Sequence, residues 1–245
     1  MKKNILLTTL ILIIICFLGI SIKSEHSNDE FYEETFVDTS HNNSNILIIY
    51  PQFESESKQS VNDLIINFVE NFASSVYGSD YANLNLKVEK YNITYYNGNL
   101  LSIVFEANGY VSTAAYPNKF LHAINIDIKS ESIISLSDIY SVDDVFSSII
   151  YNDFYEQFAP QKLKEWGINE DDESYESYIK DLSYVAPFNL EGTLANEKKY
   201  YLQEDTLVFC VTIPHAIGDY FQVEVKYSEL NNFLNRKTLP FIEVE

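Results

Sequence analysis

Cysteine is nearly absent from this sequence: Cys16 and Cys210 are the only two, and Cys16 sits in an apolar stretch at the amino end. The folded part therefore has no intramolecular disulfide to brace it and must stand on its core. Arginine is scarcer still, with Arg236 alone. Nucleic acid presents a dense line of phosphates that Lys and Arg must neutralise, and the planar two-pronged grip on phosphate belongs to Arg. With 16 basic against 36 acidic residues and a formal charge of −20, nucleic acid is excluded as a partner. An anionic surface would also be repelled.

Histidine is sparse and scattered. His26, His41, His122 and His215 have none of the short spacings that zinc sites use. The acidic run Glu170 to Glu173 lacks the glycine and terminal glutamate of a calcium-binding loop. A Gly-x-Ser-x-Gly elbow, a phosphate loop and a dinucleotide fingerprint are all missing. Thr35-Phe36-Val37-Asp38 has the look of a carbohydrate deacetylase start, but no His-x-x-x-His partner accompanies it. No catalytic residue, metal or cofactor is assigned from the sequence, and Cys210 reads as inert packing within a strand. Paired carboxylates stay open, because 36 acids make accidental pairs certain.

What is present begins with Lys2 and Lys3, followed by an uncharged apolar segment over residues 5–22. Three readings fit it. It can be a signal peptide cut near Gly19 and Ser21, a membrane anchor, since 18 helical residues rise about 27 Å against a hydrocarbon core of about 30 Å, or a lipidation site at Cys16. In each, the basic end marks the cytoplasmic side, and the body of the chain lies outside. The membrane is then met only through this segment.

Residues 24–45 are rich in Ser, Asn, Asp and Glu and read as a flexible polar stalk. The folded domain is expected over 46–245. Residues 46–50 form a short apolar run before Pro51. Ser60 with Asp63 suggests a capping box, and Leu64, Phe68, Phe72 and Val76 recur every fourth position up to Gly78. Leu84, Leu86 and Val88 alternate, as do Tyr91, Ile93 and Tyr95, and Asn97-Gly98 predicts a two-residue hairpin turn into residues 101–105. His122 shares a face with Ile124, Ile126 and Ile128, which predicts a half-buried structural histidine.

Ser141, Asp143 and Asp144 open a long helix with a stripe of Val145, Ile149, Phe154 and Phe158, ended by Pro160. Two alternating runs, Leu207 to Ile213 and Phe221 to Tyr227, form a closing hairpin, and Ser228 caps a last short helix. Helices mixed among antiparallel hairpins predict an α+β fold, an antiparallel sheet with helices packed on one face.

Five stretches, ILIIYPQF, VNDLIINFVENF, LLSIVFEANGY, YPNKFLHAINIDIKSESIISLSDIY and LVFCVTIPHAIGDYFQVEVKYSELNNFL, resemble the extracellular domain of RsiV-like anti-sigma factors over roughly residues 46–235. The same module resembles the accessory region of PdaC-like peptidoglycan deacetylases. The resemblance implies a helix after the first strand and a sheet of antiparallel pairs. It also implies an outer domain that binds lysozyme, a cationic enzyme. Thr113 to Pro117 replace the family's Gly-Gly-Ala-His-type turn, so any role of that histidine is absent. Only Met1 to Asn4 precede the apolar segment, which implies an outer domain without a sigma-binding region.

The candidate ligand-binding surface is the loop joining the last two long strands, with Pro214, His215, Ile217 and Asp219, together with Tyr116. Tyr116 belongs to a set of tyrosines near turns, including Tyr95, Tyr96 and Tyr110, that offer rigid amphipathic contact area. The functional expectation is an extracytoplasmic binding or sensing module whose charge suits a cationic extracellular protein. The alternatives are an acidic surface that serves solubility alone, and an envelope enzyme or accessory acting on glycan.

Overall fold

The computed structural model describes residues 31–183, 194–196 and 198–235. The expected segments at residues 1–23 and 24–30 lie outside these. Among the described residues no helix is long and apolar enough to cross a membrane.

The first strand is a correction. Residues 31–38, assigned to the stalk from their polarity, form β1 (Phe31–Asp38), which pairs antiparallel with β2 (Asn45–Phe53) from Phe31 opposite Phe53 to Asp38 opposite Ile46. Phe31 packs on Phe53 at 4.3 Å between ring centroids, while Glu33 and Glu34 stay exposed. An edge strand needs only one contacting face, and charge on its free side discourages further pairing. Such a strand looks polar, so composition alone mistakes it for linker.

From β2 the chain crosses through α1 (Gln59–Glu70) and α2 (Phe72–Tyr77) to β3 (Leu84–Tyr96), which lies parallel to β2. The expected single helix breaks at Asn71. Its side-chain amide donates to the Asn67 carbonyl and Oδ1, both at 2.8 Å. The expected capping box is also absent: Lys58 occupies the cap position, and Gln59 donates to Asp63 instead. Alternation in β3 changes phase because its register with β4 (Leu100–Val111) shifts twice, between Val88 and Lys90 and between Ile93 and Tyr95. Each extra residue turns the following side chains over. The hairpin forms, but through a longer loop in which Asn97 Oδ1 accepts from the Asn99 and Leu100 amides.

β5 (Asn118–Asp127) and β6 (Ser132–Ile133) complete a six-stranded sheet in the order β1-β2-β3-β4-β5-β6. After α3 (Leu136–Ile139), the long α4 (Asp144–Glu165) starts on Asp143, whose carboxylate accepts from the Val145 and Phe146 amides at 3.0 and 2.8 Å. Pro160 does not end this helix; the proline lies inside it. The buried stripe is Phe146, Ile150, Phe154 and Phe158, one residue out of phase with the expected start, and Val145 is exposed. α5 (Tyr175–Ser183) follows, then a second antiparallel sheet of β7 (Tyr200–Leu202), β8 (Thr206–Thr212) and β9 (Tyr220–Lys226), and finally α6 (Tyr227–Leu230). Ser228 lies inside α6 rather than capping it, because Lys226 holds the cap position.

The fold is α+β, as expected, but the helices do not share one face. α1 covers one side of the large sheet, where Ile65 and Val69 meet Ile48, Val88, Ile103 and Phe105. The other side contributes Val104, Leu121 and Ala123, which pack on Tyr201, Val208 and Cys210 of the small sheet. α4 then closes the small sheet from outside with its phenylalanine stripe against Phe209, Phe221 and Val223. Strand alternation makes this layering possible, since neighbouring residues of β4, β5 and β8 serve different cores.

Candidate functional site

β5 is where the two sheets are joined, and its outer edge organises the site. The Lys119 amide donates to Asp219 Oδ2 at 2.9 Å, the Leu121 amide faces the Cys210 thiol, and the Ala123 amide donates to the Lys198 carbonyl at 2.9 Å. Further along, Ser102 Oγ donates to Asn125 Oδ1 at 2.7 Å. Asn125 Nδ2 then donates to the Tyr200 carbonyl, and the Leu202 amide donates to Ser102 Oγ. Side chains here do the work of a missing neighbouring strand, leaving the inner edge of β7 paired.

The tie at Lys119 shapes the β8–β9 loop. His215–Ile217 form a single 3-10 turn, followed by Gly218 at φ +129° and Asp219 at φ +72°. A Cβ at Gly218 would be strained at that φ and would stand 3.4 Å from Lys162 Nζ, which lies beneath the loop and pairs with Glu165 at 2.7 Å. Asp219 Oδ1 lies 2.7 Å from His215 Nδ1. A carboxylate only accepts, so the proton of this contact sits on Nδ1 and Nε2 is the ring nitrogen left for another partner. Tyr116 stacks on the His215 ring, with 5.8 Å between centroids and 25° between planes.

The structure thus gathers the sequence candidates around one tip, with different exposures. Tyr116 and His215 face solvent, Pro214 is half-buried, and the Asp219 side chain is only 11% exposed, already committed to His215 and Lys119. Ile217 does not project as expected. It is half-buried, packed against the core cluster to which α4 contributes its phenylalanines. Chemically the tip is an aromatic and imidazole contact surface held by a carboxylate. Among the described residues no serine, threonine or cysteine is hydrogen-bonded to His215.

Cys210 is fully buried, and burial pushes its thiol up to about 12, which keeps it protonated and unreactive. Among the described residues no group of three or more His, Cys, Asp or Glu is placed to hold a metal ion.

Two hollows escaped the sequence reading. A cleft of about 1250 Å³ runs between α4, the start of α5 and β9. Its charged lining is six carboxylates, Asp153, Glu156, Glu165, Glu170, Glu224 and Glu229, against Lys164 and Lys226. Burial, reinforced by Glu229 and Glu156, raises Asp153 to about 6. Helical spacing of 153 and 156 was legible, but the approach of Glu224 and Glu229 depends on the pairing of layers. The other hollow, about 340 Å³, lies at the β5 edge beside the loop and includes His122, Lys119 and Lys199.

Comparison with known proteins bears on the fold. No family model and no curated protein matches the chain. Among solved structures, the chain is similar to a DUF3298 family member from Bacteroides fragilis, with a TM-score of 0.52 and 14% identity over 86% of this chain and 96% of that one. It is also similar to a DUF3298 family protein from Pseudomonas aeruginosa, with a TM-score of 0.50 and 10% identity over 86% of this chain and 98% of that one. At these identities the likeness is one of fold.

Proposed function

We propose that this chain is an extracytoplasmic, non-catalytic binding module of the cell envelope, and that the cleft beside α4 receives a cationic protein such as lysozyme. The observation that carries the reading is the concentration of carboxylates in that cleft. Six acids against two lysines leave an excess of negative charge on concave walls, which focus the field that steers a positive partner. Asp153 adds weight: burial first, and then Glu229 and Glu156, resist its ionisation, and an incoming ammonium or guanidinium would offset that resistance. The cleft exceeds the roughly 300–1,000 Å³ usual for small ligands, which suits a protruding segment of a protein surface.

Export is supported by the lysine-led apolar segment at residues 5–22, and lysozyme as the partner is supported by the resemblance to RsiV-like outer domains. Titration calorimetry of the purified full chain with a cationic lysozyme tests this. Binding at low ionic strength that weakens at about 0.5 M salt is the expected result. The absence of heat at low salt would remove lysozyme as the partner.

A further inference from the structure

The smaller hollow carries the opposite charge. Its floor is the outer edge of β5, and its walls are α2 on one side and the loop end of the β8–β9 hairpin on the other. Lys119 and Lys199 line it, in a chain with more than twice as many acids as bases. Among the described residues neither lysine has an ion-pair partner. Asp219 is the only carboxylate in the lining, and both of its oxygens are engaged, by His215 and by the Lys119 amide.

His122 is the second observation. Its ring lines this hollow yet is 4% exposed, packed 5.2 Å from Phe72, and its Nδ1 is buried with no hydrogen-bond partner. A buried imidazole nitrogen left unpaired carries the desolvation penalty of an unmade hydrogen bond, and a native fold retains such a group where something else satisfies it. Burial, with Lys199 and Lys198 beside it, holds this histidine neutral down to about pH 3. Lys199 acts on the neutral ring and Lys119 lines the same hollow, and unpaired positive charge beside a polar but uncharged ring is complementary to a negative ligand.

We propose that this hollow binds a small organic oxyanion, a carboxylate or phosphate carried on a molecule of monosaccharide size, with Lys199 and Lys119 taking the charge and His122 supplying a buried hydrogen bond. The volume, about 340 Å³, lies at the small end of ligand sites. The site has no lining residue in common with the acidic cleft, so it stands or falls separately from lysozyme binding.

The test titrates the full chain with glucuronate, with glucose 6-phosphate and with neutral glucose, following the His122 ring resonances by NMR together with the melting temperature. One or both anions should shift His122 and raise the melting temperature at about 10 mM, with glucose silent. A stronger response to glucuronate names carboxylate as the ligand group, and a stronger response to the sugar phosphate names phosphate. Lys199→Met should weaken binding by roughly tenfold or more, and Lys199→Arg should retain it. Lys87→Met, at an exposed pair with Glu89, serves as the control. Silence from both anions, an equal response to glucose, or unchanged affinity in a folded Lys199→Met chain would overturn the proposal.

Discussion

The carboxylate of Asp219 accepts a hydrogen bond from the backbone amide of Lys119, joining two residues a hundred positions apart in the chain. Through this contact the tip of the last hairpin is fixed to the edge of the large sheet. The other oxygen of Asp219 holds His215, and His215 in turn lies under Tyr116.

Replacing Asp219 should therefore loosen the loop in a graded way. Asp219→Ala loses both contacts and puts an alanine at positive φ, at a cost of about 1–3 kcal/mol. Asp219→Asn keeps an acceptor and tolerates the backbone, so it should cost less. Denaturant midpoints order the variants, and hydrogen exchange of the Lys119 amide should quicken most in Asp219→Ala.

The polar seam between the sheets makes a second expectation. Asn125 is fully buried and donates to the Tyr200 carbonyl, so Asn125→Leu removes that donor and takes from the Ser102 hydroxyl the acceptor of its proton, while the Leu202 amide still donates to Ser102 Oγ. A loss of about 2–4 kcal/mol should follow. Because Ser102 shares the network, a double-mutant cycle with Ser102→Ala should show non-additive losses.

His122 gives the fold an acid-sensitive component. Its folded-state pKa, about 3, lies below the ordinary 6.5, so between those values the unfolded chain binds more protons than the folded one. This contribution is complete above pH 6.5 and is lost as pH falls toward 3, at no more than about 1.4 kcal/mol per pH unit. Chemical denaturation of the native chain and of His122→Gln at pH 7, 5 and 4 checks the sign. The stability curve of the variant should fall less steeply over that range.

Cys210 should resist thiol reagents. In a Cys16→Ser background at pH 8, native protein should leave the remaining thiol unmodified, and denatured protein should react fully. Stoichiometric labelling of the folded chain would contradict the packing described for β8.

Local signals announced the local structures well. Alternation marked β8 and β9, the stripe of α4 was legible at Phe154 and Phe158 though its expected start at Val145 fell one residue early, and Asp143, expected among the first-turn acids after Ser141, is itself the cap. Pro160 misled because a proline inside a long helix is tolerated when packing on both sides holds the helix, as Phe158 and Leu163 do here. The stalk misled because an edge strand resembles linker in composition. The tip residues could be named from sequence as a loop, whereas Ile217 turning inward and Tyr116 meeting His215 are tertiary events. Both hollows are assembled from residues far apart in the chain, and no spacing rule brings Glu229 to Asp153 or Lys199 to His122.

The central claim is that the cleft, rather than net charge at large, draws the partner. Association rates with a cationic lysozyme should be measured by surface plasmon resonance for two triple variants of equal charge. One neutralises the cleft, with Asp153→Asn, Glu156→Gln and Glu229→Gln; the other neutralises Glu33, Glu34 and Glu89 on the exposed strands. The account predicts that the cleft variant slows association and weakens binding by roughly tenfold more than the strand variant. Equal losses in the two would contradict it.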